Sequence, residues 1–259
     1  MHRLAEFWKS EDFERPPFIH SKDRGILQSP SVPNSFEQYL DRSFGSKKET
    51  VLHTCLLPEP YVGELSRADI VVVLLNPGLQ VGDYFAQYVM PNGRERLLMN
   101  LRQELASEEF PHMFLDPLMC WHPGFNYWHN KFESLARELV VRGKIRNHLE
   151  ALKAISRRVV TLEPFAYHSK NFGSHNLLTK LPSFIMAKEV IKNLAERARE
   201  REITVVVARN AKQIGVEEEA GNLVIYRSSI EAQSANIGPK SRGGRAILRA
   251  FGVDVSELT

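Results

Sequence analysis

The sequence predicts an α/β protein with three layers, α/β/α, built on a short, mainly parallel central sheet. Three observations predict it. Short runs rich in β-branched residues recur at 70–75, 158–162, 203–208 and 223–226. The first and third carry almost no polar alternation, as expected of strands buried on both faces of a parallel sheet. Helical periodicity fills the chain between runs, and strands alternating with helices imply right-handed βαβ crossovers.

In chain order, residues 1–60 are rich in Pro, Ser and aromatics and read as a helix-and-loop appendage on a core of residues 61–259. No linker divides the chain, so one domain spans 1–259. After the first strand, 76–85 reads as a loop. A helix at 94–105 places Leu97, Leu98, Leu101 and Leu105 on one face. Helices follow at 131–141 and 145–155, then the second strand. The helix at 184–200 turns Ile185, Val190, Ile191 and Leu194 inward. The third and fourth strands precede a polar loop and a last helix at 244–251.

Composition narrows the function. Of 259 residues, 43% are hydrophobic and 25% charged, the balance of a globular enzyme rather than a disordered chain. No apolar run approaches the ~20 residues of a membrane span, and no signal-peptide core opens the chain. Two cysteines, Cys55 and Cys120, supply neither a disulfide framework nor a four-cysteine metal site. A cytoplasmic protein without membrane contact is expected. His112, Cys120, His122 and His129 lack metal-site spacing, so no metal or other cofactor is expected. No Walker loop or GxGxxG follows a strand, which removes nucleotide hydrolases and dinucleotide oxidoreductases. The net charge of +3 is too small for whole-surface attraction to nucleic acid. Residues 227–249, however, carry Arg227, Lys240, Arg242, Arg245 and Arg249 against the single acid Glu231.

The strand ends carry the polar groups, and ligands of such sheets bind beyond the carboxyl ends of the strands. The first strand runs into Asn76-Pro77-Gly78, a rigid turn that projects an amide, then Asp83, Tyr84 and Phe85. The second ends in Glu163-Pro164. The fourth ends in Arg227-Ser228-Ser229 and leads to Asn236, donors suited to phosphate.

This order of strand, Asn-Pro-Gly, aromatic loop, second strand, long helix, strand and strand–polar loop–helix resembles the uracil-DNA glycosylase superfamily. Leu75-Asn76-Pro77-Gly78 looks like the first motif of its single-strand-selective and mismatch-specific branches. The resemblance covers 70–251. It implies a glycosylase-like fold, a DNA partner, and excision of a flipped base that leaves an abasic site. It implies that Asn76 orients water, that Pro77 and Gly78 border the base, and that Glu163 stands where the family reads a pyrimidine with Asn. The 223–236 segment would hold DNA. Two departures accompany it. Arg227-Ser228-Ser229 stands where the second motif usually begins with His, and Glu163 stands in place of the base-reading Asn; the iron–sulphur branches are excluded, because they need four cysteines.

The expected catalytic residues are therefore Asn76, Asp83 as base or cation stabiliser, and Arg227 in place of the missing His. Phe85, then Tyr84, would stack the flipped base. Ser228, Ser229, Asn236, Lys240 and Arg242 would contact the DNA backbone. The favoured substrate is a 5-modified cytosine, as in some phage genomes, which implies anti-phage defence. Gly78 presents no side chain to the C5 edge, and an ionised Glu163 accepts from the exocyclic amine. The alternatives are a uracil or mismatch repair glycosylase, a non-catalytic DNA-binding module on the same fold, or a hydrolase of free nucleosides. A monomer is expected.

Overall fold

The architecture comes from a computed structural model that describes residues 1–27, 33–41, 49–256 and 258. Parts of the expected N-terminal appendage, 28–32 and 42–48, lie outside the described residues. Five strands, β1 (Tyr61–Val62), β2 (Ile70–Val73), β3 (Val159–Leu162), β4 (Thr204–Val207) and β5 (Leu223–Ile225), form one sheet in the order β1-β3-β2-β4-β5. The described helices are α1 (His2–Lys9), α2 (Phe36–Asp41), α3 (Val81–Tyr88), α4 (Gly93–Arg102) and α5 (Pro123–Val141). Then come α6 (His148–Arg158), α7 (Pro182–Arg199), α8 (Ala211–Ile214), α9 (Ser229–Ser234) and α10 (Arg242–Ala250).

The sheet is mixed, which corrects the expectation of a mainly parallel one. β2, β3, β4 and β5 pair in parallel, while β1 runs antiparallel to β3 through Tyr61 opposite Leu162. β1 is too short to stand out as an apolar run. Only residues 63–69 separate it from β2, whereas a parallel crossover needs about a dozen or more.

Alternation along β2 sorts the layers. Val71 and Val73 pack with Leu4, Trp8, Leu101, Phe184 and Ile191 on one side. Ile70, Val72 and Leu74 pack with Phe132, Leu135, Leu152 and Ile247 on the other. Helices α1, α4 and α7 thus cover one face, and α5, α6 and α10 the other. The N-terminal residues are part of the main core, with Leu4, Phe7, Trp8 and Phe13 all buried. Ile185, expected inside, is 41% exposed; Phe184 and Ala187 take the inward positions of α7.

Local chemistry sets the helix ends. Asn147 accepts from the Glu150 amide at 3.0 Å to start α6, and Ser241 accepts from the Gly244 amide at 2.9 Å to start α10. Proline occupies the first turn of α5 and α7, where its missing N–H costs nothing. No described helix is long and apolar enough to cross a membrane.

Candidate functional site

Three neighbouring strands end together at one rim. Val73 of β2 is in register with Leu162 of β3 and with Val207 of β4. The residues that follow, Asn76, Glu163 and Arg209, therefore emerge side by side and line a cavity of about 250 Å³. Pro77, Gly78 and Asp83 line it too. That volume lies just below the ~300–1,000 Å³ of drug-sized ligand pockets.

The Asn-Pro-Gly turn is held from several sides. The Leu74 amide donates to the Leu162 carbonyl at 3.0 Å, and the Phe165 amide to the Leu75 carbonyl at 2.8 Å. Asn76 Nδ2 donates to Ser169 Oγ at 3.2 Å. Gly78 has φ +71°, a left-handed conformation that costs other residues about 1–2 kcal/mol. A Cβ there would meet nothing within 4 Å, so backbone conformation and not crowding requires the glycine. The His168 ring lies 3.1 Å from both the Gly78 and Leu57 carbonyls and ties the turn to the chain before β1. Burial lowers the His168 pKa to about 4 against the pull of the two carbonyls, and the neutral ring donates its single N–H to one of them.

Residues 81–88, expected as loop, form α3. A capping box starts it: the Gln80 amide donates to Asp83 Oδ2 at 2.6 Å. The helix fixes which way its side chains face. Asp83 turns to the cavity. Tyr84 turns into the core, fully buried, with its ring stacked on Tyr39 at 4.6 Å and its hydroxyl 2.8 Å from His53 Nδ1. Phe85 packs against Phe36 and Trp121, at 5.4 and 6.0 Å between centroids. Neither ring lines the cavity, which corrects their expected stacking role. The aromatic walls are instead Phe114, Tyr127 and Trp128, from a segment the sequence did not tie to the strand ends.

Electrostatics concentrate at this cavity. Burial raises the Glu163 pKa to about 8, against the pull of Arg209 and a hydrogen bond from the Leu75 backbone. One Glu163 oxygen, Oε2, is buried and finds no hydrogen-bond partner among the described residues. Such an orphan costs about 1–3 kcal/mol or more unless a ligand satisfies it. Burial also raises Asp83 to about 7, opposed by the Gln80 amide and Lys170. Asp83 Oδ1 is 3.7 Å from His122 Nε2. His122 Nδ1 accepts from the Gly124 amide at 2.9 Å, so Nε2 carries the proton of a ring that burial keeps neutral. Among the described residues, no group of three or more His, Cys, Asp or Glu side chains is arranged to hold a metal.

No protein family, curated protein or solved structure matches the chain.

None of the expected second-motif residues lines this cavity. Arg227 is exposed, donates to the Glu217 carbonyl, and borders a separate groove with Asn210 and Tyr226. Arg242, expected on phosphate, is committed to protein. It pairs with Glu219 at 2.8 Å and Glu231 at 3.1 Å and donates to the Ile225 carbonyl at 2.7 Å. Ser228 caps α9 by accepting from the Glu231 amide at 3.1 Å, and Ser229 opens that helix. Asn236 Oδ1 accepts from the Gly238 amide at 2.8 Å. Ser229, Asn236 and Lys240 are exposed on the surface.

Arg209, Lys170 and Glu59 are cavity residues not singled out from the sequence, and His122, considered there only as a metal ligand, lines the cavity as well. Arg209 follows β4 within two residues, so the strand-end rule that found Asn76 applies to it equally. Its guanidinium also donates to the Ala232 and Gln233 carbonyls, both at 3.0 Å, and ties α9 to the rim. Glu59 carries no comparable signal, because it precedes a strand of two residues.

Proposed function

We propose that this cavity is the active site of a DNA N-glycosylase that flips out one nucleotide and hydrolyses its N-glycosidic bond. The observation that carries the reading is the meeting of Asn76, Asp83 and the unsatisfied Glu163 in one aromatic-walled space of about 250 Å³. Glycoside hydrolysis passes through a sugar with cationic character while the base departs with the bonding electrons. Asn76 orients the water, and Asp83, poised near 7, accepts its proton and faces the developing cation. The aromatic rings of Tyr127 and Trp128 wall the space for the base, and Lys170 and Arg209 offer positive charge to a flanking phosphate. In this reading Arg209 takes the electrostatic role first assigned to Arg227.

The proposed substrate is a 5-modified cytosine, with excision from invading phage DNA as the role and the cytoplasm as the place. The open flank of Gly78 supports it: a Cβ built there would meet no described atom within 4 Å, which leaves room beside the turn for a C5 group. Glu163 supports it differently from the sequence argument. With a pKa of about 8 it is mostly a neutral acid at pH 7, able both to donate and to accept. A neutral acid matches the cytosine edge through N3 and the amine, but it also matches uracil through O4 and N3–H. Space at C5 admits a substituent on either ring, so preference for cytosine over uracil rests on Glu163 ionised at alkaline pH.

Incubation with DNA containing uracil, cytosine, 5-hydroxymethylcytosine or its glucosylated form, followed by hot alkali and mass spectrometry of released bases, tests this. Breaks at the modified cytosine are expected. Efficient release of uracil alone makes the protein a repair glycosylase. A mobility shift with no base released from any DNA makes it a binding module.

A further inference from the structure

We propose that Glu59 is a third functional carboxyl of this cavity and the general acid that protonates the departing base. The proposal rests on the glycosylase reading for its reaction and on independent geometry for its site.

The geometry begins with the antiparallel strand that made the sheet mixed. Beyond Tyr61 opposite Leu162, the β1–β3 ladder continues with the Glu163 amide donating to the Pro60 carbonyl at 2.9 Å. The Glu59 amide donates to the Ala166 carbonyl at 2.8 Å. Glu59 thus arrives from the opposite direction beside Glu163, at the same rim. It lines the main cavity and also a smaller chamber behind it, about 20 Å³, walled by Asp83, Gln87, Asn100, His122 and His168. That is room for one water with polar partners.

Three carboxyls at one cavity cannot all ionise cheaply, because like charges oppose each other and burial opposes each. Glu59 is raised well above its ordinary value by burial, then by Asp83, then by Glu163. The cations favour its neighbours: Lys170 supports ionised Asp83, and Arg209 supports ionised Glu163. His122 and His168 are held neutral and supply no countercharge. Environments that separate carboxyl groups in this way assign acid and base roles. Asp83, with Lys170 favouring its ionised form, is the base; Glu59, which both neighbouring carboxyls and burial push upward, is the acid.

The step balances. Water forms its bond to the anomeric carbon and loses a proton to Asp83. The C–N bond breaks with its electrons on the base, which takes the Glu59 proton. Asp83 and Glu59 both border the small chamber, a short route for returning the proton from one to the other.

Two measurements on the full chain test the proposal. Glu59→Gln is expected to slow release of cytosine-type bases by about 10²–10⁴-fold, the usual contribution of a general acid. Release of 5-fluorouracil, which departs as a stable anion, should fall no more than a few-fold. Glu59→Asp, which keeps an acid, should restore part of the lost rate. Carbon-13 carboxyl NMR, with the Glu59 signal identified by its loss in Glu59→Gln, should show a midpoint well above the ordinary glutamate range. That midpoint should fall by about one pH unit or more in Asp83→Asn. An equal loss across all leaving groups, or a Glu59 midpoint in the ordinary carboxylate range, overturns the proposal while leaving base excision intact. No base release by the wild type overturns the glycosylase reading and the acid's role with it. The NMR midpoint then still decides whether Glu59 is a retained acid.

Discussion

Asp83→Asn should make the protein more stable at alkaline pH while abolishing its proposed chemistry. The folded protein raises the Asp83 pKa from its ordinary 3.8 to about 7. Between those values the native state holds more protons than the unfolded state, so stability falls as pH rises through the window and the loss is complete above 7. Each tenfold change in acidity is ~1.4 kcal/mol, so the penalty on wild type grows from about 1 kcal/mol at pH 4.5 to about 4 kcal/mol at pH 8.5. The side chain is 15% exposed at the cavity mouth, and solvent there roughly halves both figures. Asparagine cannot ionise, keeps nearly the same shape, and still accepts from the Gln80 amide. Urea unfolding at the two pH values measures the difference, with about 2 kcal/mol of stabilisation expected at pH 8.5 and a few tenths at pH 4.5. A gain of this kind, paired with lost function, is the behaviour expected of a strained functional group. The reasoning fails if the stability difference is the same at both pH values, or if the variant is less stable at pH 8.5.

Three further outcomes can be checked. Asn76→Ala should abolish base release with DNA affinity kept within a few-fold, because the amide acts on the transition state; single-turnover rates beside equilibrium binding separate the two. Lys170→Ala should lower the salt dependence of DNA binding by about one ion, whereas Arg242→Ala should leave it unchanged and cost ~1 kcal/mol of stability, since Arg242 is tied to Glu219 and Glu231. Gly244→Ala should destabilise by about 1–3 kcal/mol in denaturant titrations, because its Cβ would sit 2.0 Å from the Gly238 carbonyl oxygen and 2.5 Å from that of Ile237.

The buried strands were legible because their signal is local. Runs such as Ile70-Val71-Val72-Val73 are apolar on both faces, and only a sheet covered on both sides buries them so. Strand ends were legible for the same reason, so Asn76, Pro77, Gly78 and Glu163 could be named before any coordinate, and they meet at one cavity. Direction and partnership were not legible. Whether Tyr84 faces base or core depends on the rotation of α3, set by the capping pair Gln80 and Asp83 and by Tyr39 against its ring. Whether Arg242 is free for phosphate depends on Glu219 and Glu231, close in space through the end of β5 and α9. The place of Glu59 depends on β1 turning back beside β3, a pairing of two residues whose register comes from the rest of the sheet. Periodicity along a chain reports what each residue must avoid, namely water or burial. Which groups share a cavity, and so which carboxyl keeps its proton, is decided by contacts between distant segments that only the folded chain creates.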